Sequence, residues 1–226
     1  MNYEFLSSTK LFCGMPPEKI KNALSCLNAS EKEFKKGGII YRAGDTVTEI
    51  GLVEEGSVNI TVNFYCGTSN IFGHIAKGEI FAETYAAIPN KKLICDVVAA
   101  ENSKILFIDI NKLINDTCSS CGYHGIIIHN LLQISAEKNL KLSSRMMHTA
   151  PKTVRGRLLS YLTWQAAKNE SREFHIPFTR QQLADYLGVD RSVLSTELSK
   201  MQKDGLINYR KNDIKLNNTL NSEEWL

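Results

Sequence analysis

Six residues between 191 and 203 carry the side chains most suited to reading another molecule. Wound as a helix, RSVLSTELSKMQK places Leu194, Leu198 and Met201 on one face. Ser192, Ser195, Thr196, Ser199 and Lys203 fall opposite, with Arg191 in the first turn. Short hydroxyl side chains let a helix lie deep in a DNA major groove and hydrogen-bond to bases or phosphates, and an arginine at its start can pair bidentately with guanine. Arg191 is thereby a candidate base reader, Ser192, Ser195 and Thr196 are candidates to meet bases or phosphates, and Ser199 and Lys203 are candidate phosphate contacts. Glu197 flanks this face, placed to accept from a cytosine amino group or to stand in solvent.

Such a helix needs a second helix to hold it. FTRQQLADYLGVD supplies one: Thr179 and Gln182 form a capping box, and Leu183, Ala184 and Leu187 give a buried face. Gly188 makes the turn, where a left-handed backbone is cheap, and Asp190 caps the next helix. Gly205 ends it. This is helix-turn-helix grammar. LINYRKNDIKLNN then reads as a two-stranded hairpin with a Lys-Asn-Asp turn, made basic by Arg210, Lys211 and Lys215: a wing. Thr179 and Arg180, at the start of the first helix, are placed to hold a backbone phosphate, with Arg210 and Lys211 on the wing beside them.

Charge points the same way. Residues 1–150 hold 15 Lys+Arg against 15 Asp+Glu, whereas residues 151–226 hold 12 against 9, so the net +3 lies in the last third. That is the direction expected of a segment that meets a polyanion. The 226 residues, 43% of them hydrophobic, suit one or two globular domains. There is no apolar run of the roughly 18 residues that would span a bilayer, and MNYEFLSSTK has no signal-peptide pattern, so a soluble, cytoplasmic chain is expected.

Upstream the texture changes twice. Pro16-Pro17 opens a short helix with Ile20, Leu24 and Leu27 in register. From Phe34 to Asp109, runs such as EIGLVEEG, SVNITVNFY and SKILFIDI alternate apolar and polar, and eight of the fourteen glycines fall here. Short strands with turn glycines about every ten residues read as an antiparallel barrel or jelly roll. From 117 to 148 a proline-free helical pattern carries a stripe through Ile127, Leu131, Ile134, Leu142 and Met146, with Ile128 and Leu132 beside it. At roughly 45 Å it is longer than one compact domain needs, which favours pairing with a second copy of itself. Thr149-Ala150-Pro151 restarts the chain, with Pro151 at the first position of the helix KTVRGRLLSYLTWQAAK, and the polar loop NESREFHIP follows. The expected fold is therefore α+β. It comprises a sensor barrel with N-terminal helices over 1–116, a dimerisation helix over 117–148, and a winged helix-turn-helix over 149–226.

Other chemistry is weaker. The six cysteines (13, 26, 66, 95, 118 and 121) are scattered as in a chain of free thiols. Cys118-Ser-Ser-Cys121 with His124 and His129 could suggest zinc, but on one continuous helix positions 118 and 129 are roughly 16 Å apart. A redox pair at a helix start is the remaining reading of the two thiols. His74 is the only histidine before 124, which argues against a multi-histidine barrel enzyme. No metal site and no catalytic residue is expected.

The order of barrel, long helix and winged helix, with GEIFAE at 78–83 and TRQQLADYLGVDRSVLS at 179–195, resembles the Crp–Fnr family of bacterial transcription regulators. The resemblance covers nearly the whole chain. It implies a homodimer on a palindromic operator of double-stranded DNA, contact with RNA polymerase, and a barrel that holds an effector or its remnant. It assigns base reading to Arg191, Ser192, Ser195 and Thr196, and phosphate contact to Thr179, Arg180 and Gln181. The family's cyclic-AMP branch has Gly-Glu followed ten residues later by Arg-Ser, the glutamate on the ribose and the arginine on the cyclic phosphate. Here Ala82-Glu83 stand first and Leu93-Ile94 second, so the phosphate arginine is absent. An apolar pair cannot compensate a buried phosphate charge, which argues against cyclic-AMP binding in that manner. Leu142 and Ser143 match the adenine-contacting end of the long helix. An iron–sulfur branch needs a close N-terminal cysteine cluster, and Cys13 and Cys26 do not form one. Some members ligate haem from the barrel, a role open to His74. No effector or cofactor is named by the sequence. The alternative to a DNA-reading regulator is a small-molecule, haem or thiol-redox sensor with weak DNA-binding output.

Overall fold

A computed structural model describes residues 1–63, 69–115 and 123–217. The chain forms two compact units, Met1–Glu137 and Lys138–Leu226. Cys66, Cys118 and Cys121 lie outside the described residues.

The first unit begins with helices α1 (Tyr3–Ser7) and α2 (Pro17–Cys26). Strands follow: β1 (Ser30–Phe34), β2 (Ile39–Tyr41), β3 (Glu49–Glu55), β4 (Val58–Asn63), β5 (Ser69–Ile75) and β6 (Ile80–Phe81). Helix α3 (Glu83–Ala86) precedes β7 (Asp96–Ala99), β8 (Ser103–Asp109) and helix α4 (Ile110–Asn115). The strands pair antiparallel into two four-stranded sheets, β1-β8-β3-β6 and β2-β7-β4-β5, the double-sheet arrangement of a jelly roll. Strands β3 and β8 are buried on both faces, and alternation splits them between two cores: Val53, Ile105 and Phe107 join Val58, Phe81 and Val97 in one cluster, and Ile50, Leu52, Leu106 and Ile108 join the N-terminal helices in the other. Phe81 is wedged so tightly over β3 that a Cβ on Gly51 would lie 2.1 Å from its ring, so glycine is required there. Tyr41 meets Phe81 and Phe107 edge-on, with ring centres 6.1 and 5.8 Å apart.

The long helix α5 runs from His124 to Thr149 and has two apolar faces. Ile127 and Ile134 are buried in the first unit's core, with Leu131 packed against it and Asn130 donating to the carbonyls of Leu11 and Cys13 at 3.0 and 2.9 Å. Of the expected dimer stripe, Ile127 and Ile134 are thus buried within the first unit, and Leu131 is half-buried beside them. A second face, through Ile128, Leu132, Leu142 and Met146, stays exposed, the last three at 67%, 58% and 63%.

In the second unit, α6 starts at Val154, not at Pro151: the Thr153 hydroxyl accepts from the Gly156 N–H at 3.0 Å and caps the helix through Lys168. The loop expected over NESREFHIP contains strand β9 (Glu173–His175), which pairs with β11. Helices α7 (Arg180–Leu187) and α8 (Arg191–Lys203) lead to the hairpin β10 (Ile207–Arg210) and β11 (Asp213–Leu216). Its turn is Lys211-Asn212, because Arg210 and Asp213 are already paired. Leu158, Leu162, Leu183, Leu187, Leu194 and Leu198 are fully buried in the common core of this unit.

Candidate nucleic-acid interface

The pair α7–α8 is built from its ends inward. Thr179 and Gln182 make the full capping box: the Thr179 hydroxyl accepts from the Gln182 N–H at 3.3 Å, and the Gln182 side chain accepts from the Thr179 N–H at 2.9 Å. Gly188 closes α7 with φ 64°, a left-handed backbone that costs a side-chain-bearing residue about 1–2 kcal/mol. Asp190 then caps α8, accepting from the N–H groups of Ser192 and Val193 at 2.7 and 3.4 Å. The Ser192 hydroxyl also donates to it, and these bonds, the hydroxyl's first, hold the Asp190 carboxyl below its ordinary pKa.

With Leu194, Leu198 and Met201 fully buried, α8 turns Arg191, Ser192, Ser195, Thr196, Ser199 and Lys203 to solvent. The three hydroxyls after Ser192 fold back onto the helix. Ser195, Thr196 and Ser199 donate to the carbonyls of Arg191, Ser192 and Ser195 at 2.9, 2.9 and 3.0 Å. The exposed surface is low and rich in hydroxyl lone pairs, which suits acceptance from the amino groups of adenine and cytosine in a major groove.

Glu197 is neither a base reader nor a solvated side chain. Its carboxylate accepts from the Arg155 Nε at 2.6 Å, while the Arg155 Nη2 reaches Asp204 at 2.7 Å. These partners, Glu197 first, raise the Arg155 pKa above its ordinary value. One planar guanidinium on α6 thus grips α8 at two points, two turns apart.

Two other arginines hold the motif by backbone carbonyls. Arg157 donates through Nη1 to Leu187 and Gly188 at 3.0 and 3.1 Å, satisfying the C-terminal end of α7. Arg145, from α5, donates to Tyr186 and Asp185 at 3.0 and 3.1 Å and stacks over the Tyr186 ring. Beside it His148, only 1% exposed, meets the Tyr186 hydroxyl at 2.8 Å and lies edge-on to Tyr161 and Trp164. Burial holds its pKa below the usual histidine value.

Sequence reasoning missed all four of these residues. Arg155 and Arg157 sit two apart at the start of an amphipathic helix, which is the only signal they give. Their use also qualifies the charge argument, since part of the basic excess in the last third is spent inside the domain. Arg180 also bonds to a backbone carbonyl: its guanidinium donates to the Lys211 carbonyl and lies over the Tyr209 ring of the wing. Lys215 is paired with Glu173 at 2.5 Å. Gln181 bonds to Asp185 at 2.8 Å and, like Thr179, is exposed at the α7 start. Among the described residues, the side chains of Arg191, Lys203, Arg210 and Lys211 are exposed and enter no ion pair.

In the first unit, Glu83 opens α3 and is buried. Ala82 before it adopts φ 64°, the left-handed backbone a glycine would take without strain. Leu93 is drawn into the core, but Ile94 is 73% exposed, so the expected inward pair is a single residue. The backbone of Leu93 is tied to Gly44 and Asp45, at 2.8 and 2.9 Å, and the chain bends at Ile94 before β7 begins at Asp96. Lys91 and Lys92 are exposed, and Leu142 and Ser143 stand exposed on α5 in the second unit. His74 is exposed and bonds to Asn59 at 2.8 Å. Among the described residues no group of three or more His, Cys, Asp or Glu side chains is placed to hold a metal ion, and no helix is long and apolar enough to cross a membrane.

Comparison with known proteins places both units. Residues 31–115 match the model of the cyclic nucleotide-binding domain, and residues 156–219 match that of the Crp-like helix-turn-helix domain. The chain is 22% identical over 192 residues to the regulatory protein HlyX of Actinobacillus pleuropneumoniae, covering 83% of this chain and 78% of HlyX. It is 20% identical over 185 residues to the transcriptional activator protein FnrL of Cereibacter sphaeroides, covering 78% and 71%. Among solved structures, CprK complexed with OCPA shares the fold with a TM-score of 0.60 at 15% identity, over 88% of this chain and 91% of that one.

Proposed function

This chain belongs to the Crp–Fnr family of transcription regulators, joining a cyclic nucleotide-binding-type domain to a DNA-binding Crp-like helix-turn-helix, and from that premise we propose that it works as a cytoplasmic homodimer reading a palindromic operator. The observation that carries the reading is the exposed face of α8: four candidate base readers stand over a fully buried Leu194, Leu198 and Met201. Arg191 pairs with a guanine, and Ser192, Ser195 and Thr196 meet base edges. Thr179, Gln181, Ser199, Lys203, Arg210 and Lys211 hold phosphates on either side, fixing register without carrying sequence information.

The exposed seam Ile128–Leu132–Leu142–Met146 supports dimerisation through α5. Large apolar side chains on one helix face are costly in water and are covered in a pair of antiparallel or parallel copies. A dimer places two copies of α8 about one helical turn of DNA apart, which makes the operator palindromic. RNA polymerase is the partner implied by the family. The barrel is a sensor module whose ligand is not a cyclic nucleotide held in the usual way, since Leu93 occupies the core where a phosphate-binding arginine would be needed. Selection of bound duplexes from a random pool tests the reading. A pseudo-palindrome with half-sites roughly 10 base pairs apart supports it, and bound sequences without preference would sink it.

A further inference from the structure

We propose that Arg180 is the positioning residue of the wing, setting the hairpin's angle to α8, and not one of the phosphate contacts. The proposal rests on the DNA-binding reading only for what the wing then touches. The hairpin β10–β11 has a two-residue turn in which Lys211 adopts φ 55°, a left-handed conformation that lysine does not favour. Something must hold that turn. Two bonds do: the Ile176 N–H donates to the Asn212 carbonyl at 2.8 Å, and the Arg180 Nη2 donates to the Lys211 carbonyl.

The same guanidinium lies over the Tyr209 ring, 5.2 Å from its centre. The Tyr209 hydroxyl is in turn 3.3 Å from the Ser199 hydroxyl on α8. A chain of contacts therefore runs from the first turn of α7, through Arg180 and the wing, to the exposed face of α8. A flat cation suits this place: it stacks on an aromatic ring with its plane and donates from its edge, which an ammonium cannot do at once. The opposite terminal nitrogen, Nη1, is buried with no hydrogen-bond partner among the described residues. A side chain reaching for phosphate would expose that edge. Arg180 thus spends its charge inside the motif, and the wing's phosphate contacts fall to Arg210 and Lys211, both exposed.

Amide hydrogen exchange on the full-length protein without DNA tests this, because a phosphate contact has no role there. In Arg180→Ala, the wing amides between Ile207 and Leu216 are expected to exchange at least tenfold faster, with α7 and α8 protected as before. Lys203→Ala, which removes an exposed cation, is expected to leave the wing unchanged. Wing exchange at the wild-type rate in Arg180→Ala would overturn the proposal. If Arg180→Ala loosens the whole unit, Tyr209→Leu decides: faster exchange confined to the wing supports the proposal, and an unchanged wing overturns it. The absence of any operator preference would remove the DNA-binding reading while leaving this exchange result standing.

Discussion

Removing the guanidinium of Arg155 tests how the reading helix is held. Arg155→Ala deletes two charge-assisted bonds of unequal worth. The pair with Asp204, whose side chain is 47% exposed, contributes about 0.2–1 kcal/mol, as exposed pairs do. Glu197 is different: its side chain is 16% exposed, so losing its partner leaves a carboxylate poorly hydrated and unpaired. Such a group costs about 1–3 kcal/mol, and the variant should lose roughly 2 kcal/mol in the second unit. Trp164 lies in that unit and residues 1–137 contain no tryptophan, so urea unfolding followed by tryptophan fluorescence reports it selectively. Arg155→Ala/Glu197→Gln removes the stranded charge as well and should recover about 1–2 kcal/mol of the loss. If the two substitutions add with no recovery, or if Arg155→Ala alone costs under about 0.5 kcal/mol, the grip on α8 is not what the geometry implies.

Three further outcomes follow from particular residues. Ala82→Gly relieves a left-handed alanine at the start of α3 and should stabilise the first unit by about 1 kcal/mol in denaturant melts, glycine's greater chain entropy offsetting part of the relief. Leu132→Glu places a charge in the exposed seam of α5 and should shift the protein to monomers in sedimentation velocity while leaving each unit folded. Glu54 sits at a register shift of β3, 4% exposed, and burial first, then Glu31, pushes its carboxyl up to about 7. An acid with a raised folded-state pKa binds its proton more tightly when folded, so stability falls as pH rises from 4.5 to about 7 and then levels. Glu31 behaves oppositely: burial raises its pKa, but bonds with the N-terminal amine, Glu54 and Lys104 outweigh this and hold it at about 2, so its contribution is lost below pH 4.5. Glu54→Gln should flatten the upper limb and raise stability at pH 8 by an amount on the order of 1–3 kcal/mol.

The parts of the molecule that were readable in advance are those specified by local chemistry. Thr179 with Gln182, Gly188 and Asp190 each fix a helix end by a bond within three residues, so α7 and α8 could be placed from spacing alone. The barrel was legible from alternation and turn glycines. Strand β9 was not, because EFH is short, polar-flanked and paired to a strand 38 residues away (His175 with Asp213). The α5 stripe was half right: helical periodicity shows that apolar residues share a side, but α5 carries two such sides. Only the fold shows that Ile127 and Ile134 face inward while Leu132 and Leu142 do not. Arg145 and Arg157 were invisible as scaffold because their acceptors are backbone carbonyls, which every sequence contains, and Arg155 because its carboxylate partners lie 42 and 49 residues away. The contact of Arg180 with the Lys211 carbonyl was hidden for the same reason, since its partner is the carbonyl of a turn.

The central claim is that the α8 face reads bases, and the base preference at every half-site position measures it most directly. Wild type and Arg191→Ala should be compared on all single-base variants of the selected operator, with the salt concentration held fixed. Loss of preference at one guanine position, at a cost of about 1–3 kcal/mol and with the other positions unchanged, is the result expected of a bidentate base contact. Uniform weakening at every position would place Arg191 on the phosphate backbone and contradict the account.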